Sequence, residues 1–194
     1  SPSPSRPPNK LMMLGESRVV LNVAGMAKTL LTGALKPAKP SNGRTIIMLP
    51  GFGSDEKYME PLAKFLRKNG YKAEGWGLGL NMGGADLEHT LDDLSPAWSV
   101  EPMPGYDPAT YRGEGGVPYL CDMAIASVKA RAEQLGTKVT LVGWSLGGYI
   151  AREVARDLPG YVDQVVTMGS PVIGGPKYTA AALFFDRKGH DLDW

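Results

Sequence analysis

The chain has 194 residues, and because domains usually contain about 100 to 200 residues, we expect a single globular domain. Apolar residues make up 43% of it, and 21 basic against 20 acidic residues give a formal net charge of +1. This balance excludes the basic surface that binds a phosphate backbone, so no nucleic-acid partner is expected.

The N-terminal segment has two parts. Residues 1–10 are rich in Ser and Pro, which predicts a disordered tail because they cannot bury enough apolar surface to offset the loss of chain entropy. From Leu11 to Leu35 apolar residues recur at helical spacing, which predicts one or two helices at the start of a domain spanning 11–194. We favour packing on a sheet over an interfacial membrane anchor, which has the same pattern.

Short apolar runs predict the strands of an α/β fold with a mostly parallel sheet and helices on both faces. The four runs are Thr45–Leu49, Tyr71–Trp76, Lys138–Val142 and Gln164–Met168. Helices are predicted from Ser54 to Gly70, from near Pro118 to Leu135, and from the turn at Ser145 to about Asp157. Ser54 is expected to cap the first helix, with Tyr58 on its inner face.

Residues 85–117 form an insertion between the second strand and the second helix, and they are rich in Pro, Gly and acidic residues. A segment of this length without regular structure is uncommon in a compact domain and commonly serves as a lid or a binding loop. We therefore expect a lid-like insertion.

The sequence Gly143-Trp144-Ser145-Leu146-Gly147 directly follows a predicted strand and opens an amphipathic helix. A serine hydroxyl is a poor nucleophile at its own pKa, so a hydrolase must expose it and stabilise the oxyanion that forms on attack. Glycines on both sides allow the turn to pinch tightly and expose the serine. We predict Ser145 as a nucleophile and the Leu146 N–H, at the helix N-terminus, as an oxyanion donor.

A second oxyanion donor is expected in Pro50-Gly51-Phe52-Gly53, the glycine turn after the first strand, with the Phe52 N–H as the candidate. An ordinary helix-start loop is the alternative. A dinucleotide site is excluded because Glu56 stands where the last glycine of G-x-G-x-x-G is needed.

Taken together, the glycine motifs resemble those of the α/β-hydrolases of the lipase and esterase type. The resemblance extends from about Leu11 to Pro171. Four segments carry it: Leu49-Pro50-Gly51-Phe52, Gly75-Trp76-Gly77-Leu78-Gly79, Leu141-Val142-Gly143-Trp144-Ser145-Leu146-Gly147-Gly148 and Gly169-Ser170-Pro171.

The resemblance implies a serine hydrolase that cleaves carboxylic esters of small molecules or lipids through an acyl-enzyme on Ser145. It also implies an oxyanion hole formed by the amides of Phe52 and Leu146. If the chain is such an esterase or lipase, we expect the insertion 85–117 to bind the acyl chain. One departure is Pro50, which stands where many members have His before the glycine.

In α/β-hydrolases the serine acts in a catalytic triad with an acid and a histidine base. Both follow the serine in the chain, on loops after later strands. Residues 172–194 predict only the start of a cap or C-terminal segment, in which His190 with Asp186 is a weak candidate pair. His89 precedes the serine. We therefore expect a truncated fold that lacks the last strands, whose exposed sheet edge would favour a homo-oligomer.

Metal and cofactor chemistry has little support, because the chain has two histidines and one cysteine, without metal-ligand spacing. Cys121 is expected to be a buried helix residue. The sequence contains no uncharged apolar run of about 18 residues, so it predicts no membrane span. A cytoplasmic location is expected, while secretion through a removed leader stays open.

Two alternative functions stay open at this point. The chain could be a catalytically impaired hydrolase fragment or interaction module that has lost its base. It could also be an acyltransferase or a peptidase that uses the same fold.

Overall fold

The computed structural model describes residues 43–96 and 115–170. These residues belong to a compact unit that spans Lys39–Ser170. The predictions for residues 1–35, for residues 97–114 of the insertion and for residues 172–194 fall outside the described residues.

Within the described residues, four parallel strands form the sheet. They are β1 (Thr45–Leu49), β2 (Lys72–Gly75), β3 (Val139–Trp144) and β4 (Val162–Met168). Their order is β2-β1-β3-β4, and each neighbouring pair is parallel. The predicted α/β fold with a parallel sheet is confirmed, with the strand ends shifted by one or two residues at several positions.

In the part of the chain that the structure describes, three α-helices connect these strands: α1 (Glu60–Lys68), α2 (Gly116–Leu135) and α3 (Leu146–Asp157). Short 3-10 turns at Glu56–Met59 and Leu91–Asp93 precede α1 and α2. The helix α2 begins two residues before the predicted start near Pro118, so the last residues of the predicted insertion are helical.

Helices cover both faces of the sheet, as predicted. On one face, Ile47 and Leu49 of β1 pack in a cluster with buried side chains of α2 and α3. On the other face, Ile46 and Met48 pack in a cluster that includes Ala63 of α1. The alternation explains why β1 is apolar at nearly every position, since side chains on both faces are buried.

The start of the first helical segment differs from the prediction. Asp55, not Ser54, caps it, and the Asp55 carboxylate accepts a hydrogen bond of 2.9 Å from the Lys57 N–H. The Ser54 hydroxyl instead donates to the Gly51 carbonyl at 2.7 Å. Tyr58 is 67% exposed rather than on the inner face, because the 3-10 turn orients its residues differently from the α-helix that follows.

The described part of the insertion is anchored to α2. The His89 ring stacks on Tyr119 with a centroid separation of 4.9 Å. The Ser95 N–H donates to the Asp122 carboxylate at 2.9 Å. Contacts from both residues therefore hold this segment against the first turns of α2.

Candidate active site

Ser145 lies in the one-residue turn between β3 and α3. Its backbone has φ 52° and ψ −122°, and it is the one non-glycine residue with positive φ among residues 43–96 and 115–170. A Cβ atom makes this conformation unfavourable by about 1–3 kcal/mol, so the surrounding structure must hold it. Three backbone hydrogen bonds do so. The Ser145 N–H donates to the Met168 carbonyl at 2.9 Å, and the Ser145 carbonyl accepts from the Gly148 N–H at 3.0 Å and the Tyr149 N–H at 3.4 Å.

The backbone is packed so closely around this turn that Gly143 and Gly147 have no room for a side chain. A Cβ atom on Gly143 would collide with the backbone of Gly147 and Gly148. A Cβ atom on Gly147 would collide with the backbone carbonyls of Leu49 and Pro50 at the end of β1. The tight approach that the sequence predicted from these glycines is confirmed, and it packs the start of α3 directly on the end of β1.

The Ser145 side chain is partly exposed and makes no capping hydrogen bond to α3. Leu146 is the first residue of α3, so its N–H has no acceptor within the helix. Partial positive charge at a helix N-terminus favours an anion there. The Ser145 hydroxyl and an electropositive helix end therefore lie side by side.

The loop after β1 meets the same turn. The β1 and β3 pairing aligns Leu49 with Gly143, so the carboxyl ends of these two strands are adjacent. A Cβ atom on Gly51 would lie 3.2 Å from the Ser145 Cβ atom, which shows direct contact between the two loops. Phe52 follows Gly51 and is half-buried. The structure thus brings the segment of Phe52 together with Ser145 and Leu146.

Asn81 also belongs to this region, although the sequence analysis did not identify it as a site residue. It is fully buried, and its Nδ2 donates to the Pro50 carbonyl at 2.7 Å while its Oδ1 accepts from the Gly83 N–H at 3.0 Å. Its backbone forms an isolated antiparallel bridge with Ser54. A lone Asn in the glycine-rich loop after β2 was the available signal, because a buried amide needs hydrogen-bond partners.

The predicted acid and base, Asp186 and His190, lie outside the described residues. His89 lies in the loop before α2, where its Nδ1 is 2.9 Å from the Leu87 carbonyl oxygen.

Cys121 is fully buried in α2, as predicted. Burial, with a smaller contribution from the Glu153 carboxylate, raises the pKa of the Cys121 thiol far above its ordinary value. A protonated, inaccessible thiol is not a nucleophile.

Within residues 43–96 and 115–170, no three His, Cys, Asp or Glu side chains are grouped so that they could hold a metal ion. In the same ranges, no helix has the length and apolar character needed to cross a membrane.

The sequence is similar to those of curated esterases, although no protein-family model matches it. It is 29% identical over 108 residues to the pimeloyl-[acyl-carrier protein] methyl ester esterase of Vibrio campbellii, a match that covers 55% of this chain and 37% of that protein. The enzyme of the same name from Vibrio parahaemolyticus is 32% identical over 109 residues, covering 55% of this chain and 36% of the relative. The matched segment therefore spans little more than a third of these relatives.

Two solved lipase structures share part of this fold. A monoacylglycerol lipase of Paleococcus ferrophilus has a TM-score of 0.46 and 17% identity, with 77% of this chain and 47% of that chain covered. A lipase of Bacillus licheniformis in its mature form has a TM-score of 0.46 and 20% identity, with 81% and 56% covered.

The described residues form a parallel sheet with helices on both faces and a serine on the tight turn between a strand and a helix, which are features that α/β-hydrolases combine. The sequence similarity to the Vibrio enzymes confirms the predicted resemblance to α/β-hydrolases of the lipase and esterase type.

Proposed function

We propose that this protein is a serine hydrolase that cleaves carboxylic esters of small molecules or lipids through an acyl-enzyme on Ser145. The observation that carries the proposal is the backbone of Ser145, with φ 52° at the junction of β3 and α3. An unfavourable conformation that the surrounding structure maintains is typical of functional sites. The Vibrio relatives are named as methyl ester esterases, which supports an ester as the substrate class.

In the proposed reaction, the Ser145 Oγ attacks the ester carbonyl carbon while a base takes its proton. The charge that develops on the carbonyl oxygen is stabilised by the N–H groups of Phe52 and Leu146. Collapse of the tetrahedral intermediate expels the alcohol and leaves the acyl-enzyme, which water then hydrolyses.

The oxyanion donors supply a large share of the rate in such reactions. Losing one donor typically lowers kcat by about 10²–10³-fold. The Leu146 N–H has the added advantage of the α3 N-terminus, where the helix dipole favours negative charge. The base remains a proposal from the sequence, with His190 and Asp186 as the candidate pair in this chain.

A series of p-nitrophenyl esters with increasing acyl length tests the proposal. Wild-type protein should hydrolyse at least one ester, and Ser145→Ala should lower kcat by about 10³-fold or more. Ser127→Ala is the matched control, since it removes a hydroxyl that donates to the Trp76 carbonyl at 3.0 Å, and it should retain wild-type activity. An inactive wild type, or equal rates in wild type and Ser145→Ala, would contradict the proposal.

A further inference from the structure

Two buried side chains hold the oxyanion loop, defined here as Pro50–Gly53, and the proposed mechanism leaves both without a role. The Ser54 side chain, 2% exposed, donates from Oγ to the Gly51 carbonyl at 2.7 Å. The Asn81 side chain, fully buried, donates from Nδ2 to the Pro50 carbonyl at 2.7 Å. Successive carbonyls of the loop are therefore each bound by a donor from outside it.

The covalent geometry of the peptide transmits this restraint to the proposed oxyanion donor. The Gly51 carbonyl and the Phe52 N–H belong to one peptide unit, which is planar and trans, so the two bonds point in opposite directions. Fixing the direction of the Gly51 carbonyl therefore fixes the direction of the Phe52 N–H.

We propose that Ser54 and Asn81 are positioning residues that hold the Phe52 N–H in the direction required for an oxyanion formed at Ser145. The proposal rests on the proposed function, in which Phe52 supplies that N–H. Ser54 acts on the peptide unit of Phe52 itself, and Asn81 acts on the preceding unit between Pro50 and Gly51.

Asn81 is itself rigidly placed, which makes it suitable for this role. Its N–H donates to the Ser54 carbonyl at 2.9 Å, and its carbonyl accepts from the Gly53 N–H at 2.7 Å. Its Oδ1 accepts from the Gly83 N–H, so its amide cannot rotate without losing a hydrogen bond. Hydrogen bonds from the loop after β2 therefore hold the loop after β1 in its conformation.

A purely structural role for the two side chains makes different predictions. If Ser54 only satisfied a buried carbonyl, its loss would lower stability and leave the kinetics of the folded protein unchanged. If it positions the Phe52 N–H, its loss lowers kcat with little change in KM, because an oxyanion donor acts on the transition state.

The test compares Ser54→Ala with Thr140→Val and Ser54→Thr in the full chain. Ser54→Ala removes the Oγ donor, but the Ser54 N–H still donates to the Gly51 carbonyl at 3.1 Å and keeps the turn closed. Thr140→Val removes a buried hydroxyl that has no hydrogen-bond partner in the described part of the chain, so it is the matched control. Ser54→Thr retains a hydroxyl at this position and should keep the kcat and KM of the wild type.

Two readouts are measured for each variant: kcat and KM on a p-nitrophenyl ester, and the backbone N–H residual dipolar couplings of Phe52 and Leu146. For Ser54→Ala we expect kcat to fall by about 10- to 100-fold, less than for complete loss of a donor, with KM within about twofold. The Phe52 coupling should change in this variant, and the Leu146 coupling should not. Both controls should match wild type.

The outcomes separate this proposal from the proposed function. Wild-type turnover with unchanged kcat and an unchanged Phe52 coupling in Ser54→Ala would overturn the positioning role alone. Absence of wild-type turnover would overturn the proposed function, and the coupling would then decide by itself whether Ser54 sets the direction of the Phe52 N–H. If Ser54→Ala does not fold, Asn81→Ala, which releases the Pro50 carbonyl, is subjected to the same two measurements.

Discussion

The positive φ of Ser145 predicts that glycine at this position gives a more stable protein than alanine, which is the reverse of the usual order. We compare Ser145→Gly with Ser145→Ala, since both remove the hydroxyl and differ only in the Cβ atom. The hydroxyl makes no capping hydrogen bond to α3, so its removal costs the helix nothing in either variant. The difference in the free energy of unfolding therefore reports the fit of a Cβ atom at φ 52°, offset by the greater unfolded-chain entropy of glycine.

The expected magnitude comes from two opposing effects. A residue with a Cβ atom in this conformation loses about 1–3 kcal/mol, which glycine avoids. Glycine in turn loses about 0.5–1 kcal/mol relative to alanine through the greater entropy of its unfolded chain. We therefore expect Ser145→Gly to be more stable than Ser145→Ala by about 1 kcal/mol.

The same pair of substitutions at Ser127, inside α2, provides the control. At an ordinary helical position glycine is less stable than alanine by about 1 kcal/mol, so the sign should reverse between the two sites. Urea unfolding of all four variants measures the difference. If Ser145→Gly were less stable than Ser145→Ala, as at Ser127, the conformational argument for a held, unfavourable turn would be refuted.

Three further predictions concern packing, protonation and assembly. Gly147→Ala should lower the free energy of unfolding by about 1–3 kcal/mol, because its methyl group would collide with the carbonyls of Leu49 and Pro50; a urea midpoint equal to wild type would contradict that close approach. Native protein should not react with a thiol reagent at pH 8, since burial raises the pKa of Cys121. The free energy of unfolding should also fall as pH rises past 9.0, the ordinary thiol pKa, where only the unfolded chain loses the proton. The edge strand β4, which pairs only with β3 among the described strands and leaves Val166 40% exposed, should mediate a homo-oligomer that Val166→Lys dissociates in sedimentation velocity, and a wild-type monomer would refute this.

Strand positions were predictable because both faces of this sheet are covered. β1 has the predicted bounds, since five successive buried residues give an uninterrupted apolar run. The end of β3 was placed two residues early because Gly143 suggested the start of the turn. Gly143 and Trp144 nevertheless pair with Thr167 and Met168 of β4, and this pairing depends on the neighbouring strand.

The position of Ser145 was predictable because the strand, the glycines and the helix are contiguous in the chain. The contacts of Asn81 with Pro50 and Ser54 were not predictable, because they form where the loop after β2 meets the loop after β1. That contact depends on β2 lying next to β1 in the sheet. Local sequence suggested a helix cap for Ser54, but its hydroxyl donates to the Gly51 carbonyl of the same loop while its backbone pairs with Asn81.

Covalent labelling with a fluorophosphonate, followed by intact mass and peptide mapping, tests the central claim most directly. Wild-type protein should gain one phosphonyl adduct, on the peptide that contains Ser145, and Ser145→Ala should gain none. The central claim would be contradicted by an unreactive wild type, or by an adduct that persists in Ser145→Ala.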